Sequence, residues 1–125
     1  MASANEVMGG GFSAGQAVAL GGAYNTLAAA GSTQGNATPI TASMCLATAA
    51  DGTKGVILPA GNLGDEYWIF NNAGSTLKVY PPTGAAISVA GTGLGTANAA
   101  FSQTTYKATV YKCFGSTQWI AITSA

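Results

Sequence analysis

The sequence has few charged residues and lacks two of the residue types on which much protein chemistry depends. Among its 125 residues there are four Lys and four acidic residues, with no Arg and no His, so the formal net charge is zero. The charged fraction of 6% is far below the value of about 25% that is typical of soluble domains. Without Arg, and with only four scattered Lys, the chain offers no basic surface and no bidentate reader of phosphate or guanine, which argues against a nucleic-acid partner.

Catalytic groupings are missing as well. Without His there is no Ser-His or Cys-His pair. Asp65 and Glu66 are adjacent, so in a strand they point to opposite faces and cannot act together on one substrate, while Asp51 lies in a turn sequence. The two cysteines, Cys45 and Cys113, cannot form a tetrahedral zinc site without His partners. The sequence therefore predicts neither an enzyme nor a metal site.

The two cysteines leave two alternatives open, a single disulfide or two buried thiols. Both lie in apolar, strand-like patterns, and free Cys is among the most buried residue types. Buried thiols are favoured if the chain is made in a cytoplasm, where disulfides are rare.

A glycine-rich stretch, residues 91–95, is the one motif that looks like a ligand-binding loop. A phosphate-binding loop needs Lys followed by Ser or Thr at its end, and a dinucleotide fingerprint needs a helix after it. Neither follows here, so the sequence predicts no cofactor.

The beginning of the chain has neither a positive segment nor a compact apolar one, so we expect no secretory signal. The most apolar window, residues 14–30, is interrupted by Gly21, Gly22 and Asn25, so we expect no membrane span. A neutral chain with 48% hydrophobic residues tends to associate, which favours a subunit of an assembly over a weakly charged secreted domain.

Strand-like and turn-like segments alternate over residues 53–82. Apolar β-formers at 56–58, 67–70 and 77–80 are separated by Pro, Gly and Asn. A hairpin with Ala73 and Gly74 as its loop would place Trp68, Phe70, Leu77 and Val79 together on one face. We interpret that face as core, which leaves Tyr67, Ile69 and Tyr80 on a second face that is apolar enough to be an interface.

A second hairpin is predicted over residues 105–123, with a two-residue turn at Gly115-Ser116. That register puts Val110 and Trp119 on one face and Tyr111, Ile120 and Ile122 on the other, which is the second candidate interface. Residues 39–49 are predicted to form a further strand, with Ile40, Ala42, Met44 and Leu46 on one side. The recurring turn signals predict an all-β domain over residues 37–125, an antiparallel β-sandwich or small barrel of about seven to nine strands.

Residues 1–36 are rich in Gly and Ala and match neither helix nor strand periodicity well. We interpret them as an extended N-terminal arm that orders on a partner, with Phe12, Tyr24 and Leu27 as anchors. A tail without a role is the alternative.

Several blocks of residues 40–123 resemble small virion proteins of tailed bacteriophages. They are Gly55-Val-Ile-Leu-Pro, Gly64-Asp-Glu-Tyr-Trp-Ile-Phe-Asn-Asn, Leu77-Lys-Val-Tyr-Pro-Pro and the closing aromatic strands with Trp119. The resemblance is to capsid cement (decoration) proteins and to some fibre modules. It implies a β-rich domain, made in the host cytoplasm, that forms homotrimers on the exterior of the virion capsid, with an arm on the major capsid protein. The alternative that it implies is a head or tail fibre module that binds a host cell surface.

Overall fold

The computed structural model describes residues 24–115 and 117–125, and nearly all the regular structure in these residues is β-strand. Within them, one short 3-10 helix, Gln34–Asn36, interrupts the strands. The strands are β1 Tyr24–Ala28, β2 Thr38–Pro39, β3 Met44–Thr48, β4 Gly55–Ile57, β5 Glu66–Asn71, β6 Leu77–Tyr80, β7 Ala86–Val89, β8 Phe101–Gln103, β9 Ala108–Gly115 and β10 Gln118–Thr123. The predicted β-rich fold is confirmed.

The strands form two mixed sheets rather than antiparallel ones. The six-stranded sheet has the order β1-β3-β5-β9-β10-β7, and the four-stranded sheet has the order β2-β4-β6-β8. The first six strands alternate between the two sheets. Successive strands of one sheet, such as β1 and β3 or β2 and β4, therefore run in the same direction and pair in parallel. Antiparallel pairs occur at β5-β9, β9-β10 and β6-β8. The antiparallel sandwich was therefore a wrong prediction, and within the described residues neither sheet closes into a barrel.

The predicted hairpin over residues 67–80 does not form. β5 pairs with β3 and β9 in the six-stranded sheet, whereas β6 pairs with β4 and β8 in the other. The turn residues between β5 and β6 carry the chain from one sheet to the other. Trp68 and Phe70 therefore do not lie opposite Leu77 and Val79.

The hairpin of β9 and β10 is confirmed, but in a different register. Trp119 lies opposite Cys113, and Ile120 lies opposite Lys112, where the predicted turn put Lys112 beside Trp119. The register shifts again between Gln118 and Trp119. A one-residue shift in register gives each side chain a different cross-strand neighbour on both faces of the hairpin.

The predicted arm boundary at residue 36 does not match the structure. β1 pairs with β3 in parallel, with Tyr24 opposite Met44, and Ala29 is buried. The Gln34 side chain donates to the Pro81 carbonyl at 2.8 Å. Residues 24–36 thus belong to the β-domain, while residues 1–23, with Phe12, lie outside the described residues.

The core contains side chains from both sheets. Trp119 and Tyr111 of the six-stranded sheet are its largest fully buried residues, and Leu77 and Val79 of the four-stranded sheet pack into the same cluster. The rings of Phe101 and Tyr111 meet edge to face across the two sheets, with centroids 5.9 Å apart. Both cysteines are free thiols buried in this core, as the sequence favoured.

A buried polar network also joins the sheets. Gln103, on the four-stranded sheet, donates to the carbonyls of Ile69 and Lys107, each at 2.8 Å, and its side-chain oxygen accepts the Tyr111 hydroxyl at 2.7 Å. Asn71, on β5, donates to the Gln103 carbonyl at 3.2 Å. Buried polar groups are tolerated when they are paired in this way, and such pairing requires one relative position of the sheets.

Replacement of Tyr111 by Phe tests this network. The change deprives a buried amide oxygen of its donor, so we expect Tyr111→Phe to lower the free energy of unfolding by about 1 to 3 kcal/mol in urea denaturation. Tyr106 is 62% exposed and is the matched control, for which Tyr106→Phe should have little effect. Equal stability of the two variants would contradict a stabilising role for the network.

Gly61 is a position where a side chain has no room. A Cβ atom there would lie 2.5 Å from Cζ2 of Trp119 and 2.9 Å from Sγ of Cys113. Since Trp119 is fully buried and has little freedom to move, we expect Gly61→Ala to destabilise the fold by about 1 to 3 kcal/mol. Gly35→Ala is the control, because a Cβ there meets nothing within 4 Å. Thermal unfolding that gave the same loss for both variants would show that the cost is not steric.

Candidate functional site

The outward side of the six-stranded sheet carries a continuous row of apolar side chains across five neighbouring strands. The pairing places Tyr24 opposite Met44, Met44 opposite Trp68, Trp68 opposite Val110 and Val110 opposite Ile122. Four of the five are among the exposed large hydrophobic residues, from 43% exposed for Trp68 to 66% for Tyr24. We call these five residues the apolar row.

A shorter row runs beside it. Leu46 lies opposite Phe70, and Phe70 lies opposite Ala108. Together the two rows line most of a pocket of about 210 Å³. Contiguous apolar surface of this kind is uncommon on monomers and marks binding sites. We call the two rows together the outer apolar face.

Two charged side chains border this face. Glu66 and Lys112 lie directly opposite each other on β5 and β9, and the Lys112 ammonium is 3.9 Å from the Glu66 carboxylate. Glu66 also accepts the indole N–H of Trp68 at 3.1 Å. A half-exposed pair of this kind contributes little to stability, but it fixes the position of one positive and one negative charge beside the apolar row.

The predicted interface residues are divided between several parts of the structure. Tyr24 and Ile122 are exposed on the outer apolar face, and Ile120 is half-buried on the same side. Leu27 and Tyr67 are half-buried and pack against the core. Tyr80 is on the other sheet and donates its hydroxyl to the Ser32 carbonyl at 3.1 Å.

The orientation predicted for Ile69 and Tyr111 is wrong. Both are fully buried in the core, and Trp68 and Phe70, which were expected there, point outward. The strand at 66–71 is apolar on both faces, so alternation alone does not choose between them. The hydrogen-bond partners decide which side chains turn inward. Tyr111 has Gln103 as an acceptor inside the protein, whereas Trp68 has Glu66 as an acceptor at the surface.

The apolar row therefore contains residues that sequence reasoning missed as surface residues: Met44, Trp68 and Val110. A usable signal was present. Glu66 lies two residues before Trp68, and Lys112 lies two residues after Val110, so each charged residue is on the same face of its strand as the apolar one. A charged residue in a strand usually points to the solvent.

Titratable groups in the described residues do not form a reactive set. Hydrogen bonds from Thr53 and Lys54 lower the pKa of Asp51 to about 2, and burial raises the pKa of the Cys45 thiol to about 11. Burial, and then the charge of Asp65, raises the pKa of Tyr67, and burial raises that of Tyr111 well above its usual value. A phenol is already protonated at neutral pH, and both raised pKa values move these groups further from ionisation.

The parts of the chain that the structure describes hold neither a metal-binding cluster nor a membrane-spanning helix. These parts contain no cluster of three or more His, Cys, Asp or Glu suited to a metal ion. Across the same residues, no helix has the length and apolar character needed to span a bilayer. No known protein family and no curated protein matches the sequence.

Trp68 is partly exposed and its neighbour Ile69 is fully buried, so their replacement should have different effects on stability. We expect Trp68→Thr to change the free energy of unfolding by only about 1 kcal/mol, since the side chain lies on the outer face, 43% exposed, and Thr suits a strand. Ile69→Ala should cost about 2 to 5 kcal/mol, because it leaves a cavity in the core. Urea denaturation of dilute samples measures both, and a larger loss for Trp68→Thr would reject the assignment of the faces.

Proposed function

We propose that the protein is a structural virion protein, a capsid cement or decoration protein that stabilises a phage shell from the outside. The observation that carries the proposal is the outer apolar face, which leaves a large tryptophan, two further aromatic rings and Met44 uncovered on an ordered sheet. A face of this kind is suited to binding a surface rather than a small polar substrate.

The charge of the chain supports the same function. With four Lys and four acidic residues, contact with a shell would depend on apolar burial far more than on ion pairs. Ion pairs between exposed groups weaken as salt rises, whereas apolar burial does not. A cement protein of this type would stay attached over a wide range of ionic strength.

A protein that binds the assembled shell, and not its separated capsomers, stabilises the shell. A subunit that contacts two neighbouring capsomers must release one of them before they separate, so bound copies stabilise the assembled state by mass action. Many weak contacts acting together give strong attachment through multivalency. The partners are then the major capsid protein and other copies of this chain, and the location is the capsid exterior. The homotrimer remains a prediction from the family resemblance.

A fibre module that binds a host surface is the second candidate. Its support comes from two leucines in loops, Leu63 and Leu94, which are 77% and 80% exposed, and from the exposed rings of Tyr24 and Trp68. Aromatic rings at a surface bind partners at a small conformational cost. A fibre would be present in few copies and would leave the shell's heat resistance unchanged.

The heat stability of particles distinguishes the two. We expect particles saturated with the full-length protein to break at a higher temperature than particles without it, because bound copies hold capsomers together. Trp68→Thr should reduce this gain, and Leu94→Thr, which removes an exposed apolar side chain from a loop, should keep it. Light scattering during heating reports the breakage. Identical curves for all four samples would rule out cementing and favour the fibre module.

A further inference from the structure

The two halves of the outer apolar face differ in side-chain size. The half on β3 and β5 carries bulky residues, Met44, Trp68 and Phe70, and the pocket of about 210 Å³ lies among them. Directly opposite Phe70 and Trp68, β9 presents the smaller Ala108 and Val110, and the exposed Phe114 lies further along the strand, beyond Lys112. The boundary between bulky and small residues runs between β5 and β9, near the middle of the six-stranded sheet.

We propose that this face binds the same face of a second copy of the chain, around a two-fold axis that runs along the strands between β5 and β9. A two-fold interface uses one patch on both subunits, so the patch must be complementary to itself. The rotation places β5 of one copy over β9 of the other, and β3 over β10. Packing of two sheets with nearly aligned strands at a distance of about 10 Å is a common arrangement.

The arrangement matches bulky side chains with small ones. Trp68 faces Val110 of the second copy, because the two occupy the same row on the strands next to the axis. Phe70 faces Ala108 of the second copy for the same reason. Met44 and the pocket beside it face Ile122 of the second copy, which is 55% exposed and projects from β10. Every contact occurs twice.

Charge complementarity favours a second copy over a partner of unrelated sequence. Glu66 and Lys112 are also paired across β5 and β9, so the same rotation sets Glu66 against Lys112 of the second copy, and Lys112 against Glu66. Both charges thus gain a second opposite charge at the edge of the contact. A strongly basic or acidic partner would repel one of them.

The contact is modest in size. It spans the four strands β3, β5, β9 and β10, or about 14 Å at about 4.8 Å per strand. Interfaces at the low end of the usual range are weak or transient, so we expect a dissociation constant in the micromolar range. The pairing does not depend on the cement function, since it would exist in solution without a capsid. It covers the outer apolar face, so the two copies must separate before that face binds a shell.

Sedimentation velocity of the full-length protein over a concentration series tests the pairing. We expect a monomer–dimer equilibrium, and Trp68→Lys should raise the dissociation constant by about thirtyfold or more, the loss typical of a central interface residue. Leu94→Lys places the same charge on an exposed loop and should leave the equilibrium unchanged. Circular dichroism and urea denaturation check that both variants fold.

Charge reversal tests the geometry of the pair. Glu66→Lys alone sets two positive side chains together in both contacts, and Lys112→Glu alone sets two acidic side chains together, so each variant should dimerise less than the wild type. In a mixture of the two variants, each contact joins opposite charges. Native mass spectrometry with one variant isotopically labelled should then show mixed dimers above the statistical share of one half.

Three results would overturn the proposal. A wild-type protein that stays monomeric into the millimolar range would leave the face to residues 1–23 of the same chain or to another protein. A trimer without dimer would exclude the two-fold axis while leaving the cement function intact. Mixed dimers at or below the statistical share would exclude the contact between Glu66 and Lys112. Failure of the particle-heating experiment alone would reject cementing and not this pairing.

Discussion

The structure depends on how the two sheets are fixed against each other, and Gln103 is central to that contact. Its side chain is fully buried on the four-stranded sheet and pairs with groups of the six-stranded sheet: the carbonyl of Ile69, the carbonyl of Lys107 just before β9, and the hydroxyl of Tyr111. A buried amide left unpaired costs far more than a surface one, so any shift of the sheets is penalised. Apolar packing of Leu77, Val79 and Trp119 supplies the larger stabilisation, but it is less selective about position.

Once that contact is fixed, the orientation of β9 and β5 follows. With Tyr111 turned inward to meet Gln103, its neighbours Val110 and Lys112 must turn outward, because side chains alternate along a strand. The antiparallel pairing of β5 with β9 then turns Ile69 inward and Trp68 outward. The exposed tryptophan is thus a consequence of core packing, and the outer apolar face is the remainder of a sheet that is apolar on both sides.

A sheet that is apolar on both faces is a disadvantage for a free monomer and an advantage for a subunit. The chain has few charges with which to keep such a surface soluble, and the pair Glu66 and Lys112 marks only one border of it. Burial against the proposed shell or against the proposed second copy would remove this surface from water. Binding through shape and apolar area is also what a chain without His or Arg can do well.

The sequence by itself determined the β-rich class, the strand at 77–80 and the presence of the final hairpin, because turn residues and β-branched or aromatic runs act locally. It favoured buried thiols over a disulfide without deciding between them. Only the tertiary structure decided which strands are neighbours. Residues 67–80 form a plausible hairpin, yet β5 and β6 enter different sheets, and residues 24–28 become an edge strand through their pairing with β3. It also decided that Ile69 and Tyr111 are core while Trp68 faces outward. Both faces of these strands are apolar, so the alternation of side chains does not show which face is buried. Partners that are distant in the chain, above all Gln103, determine which face turns inward.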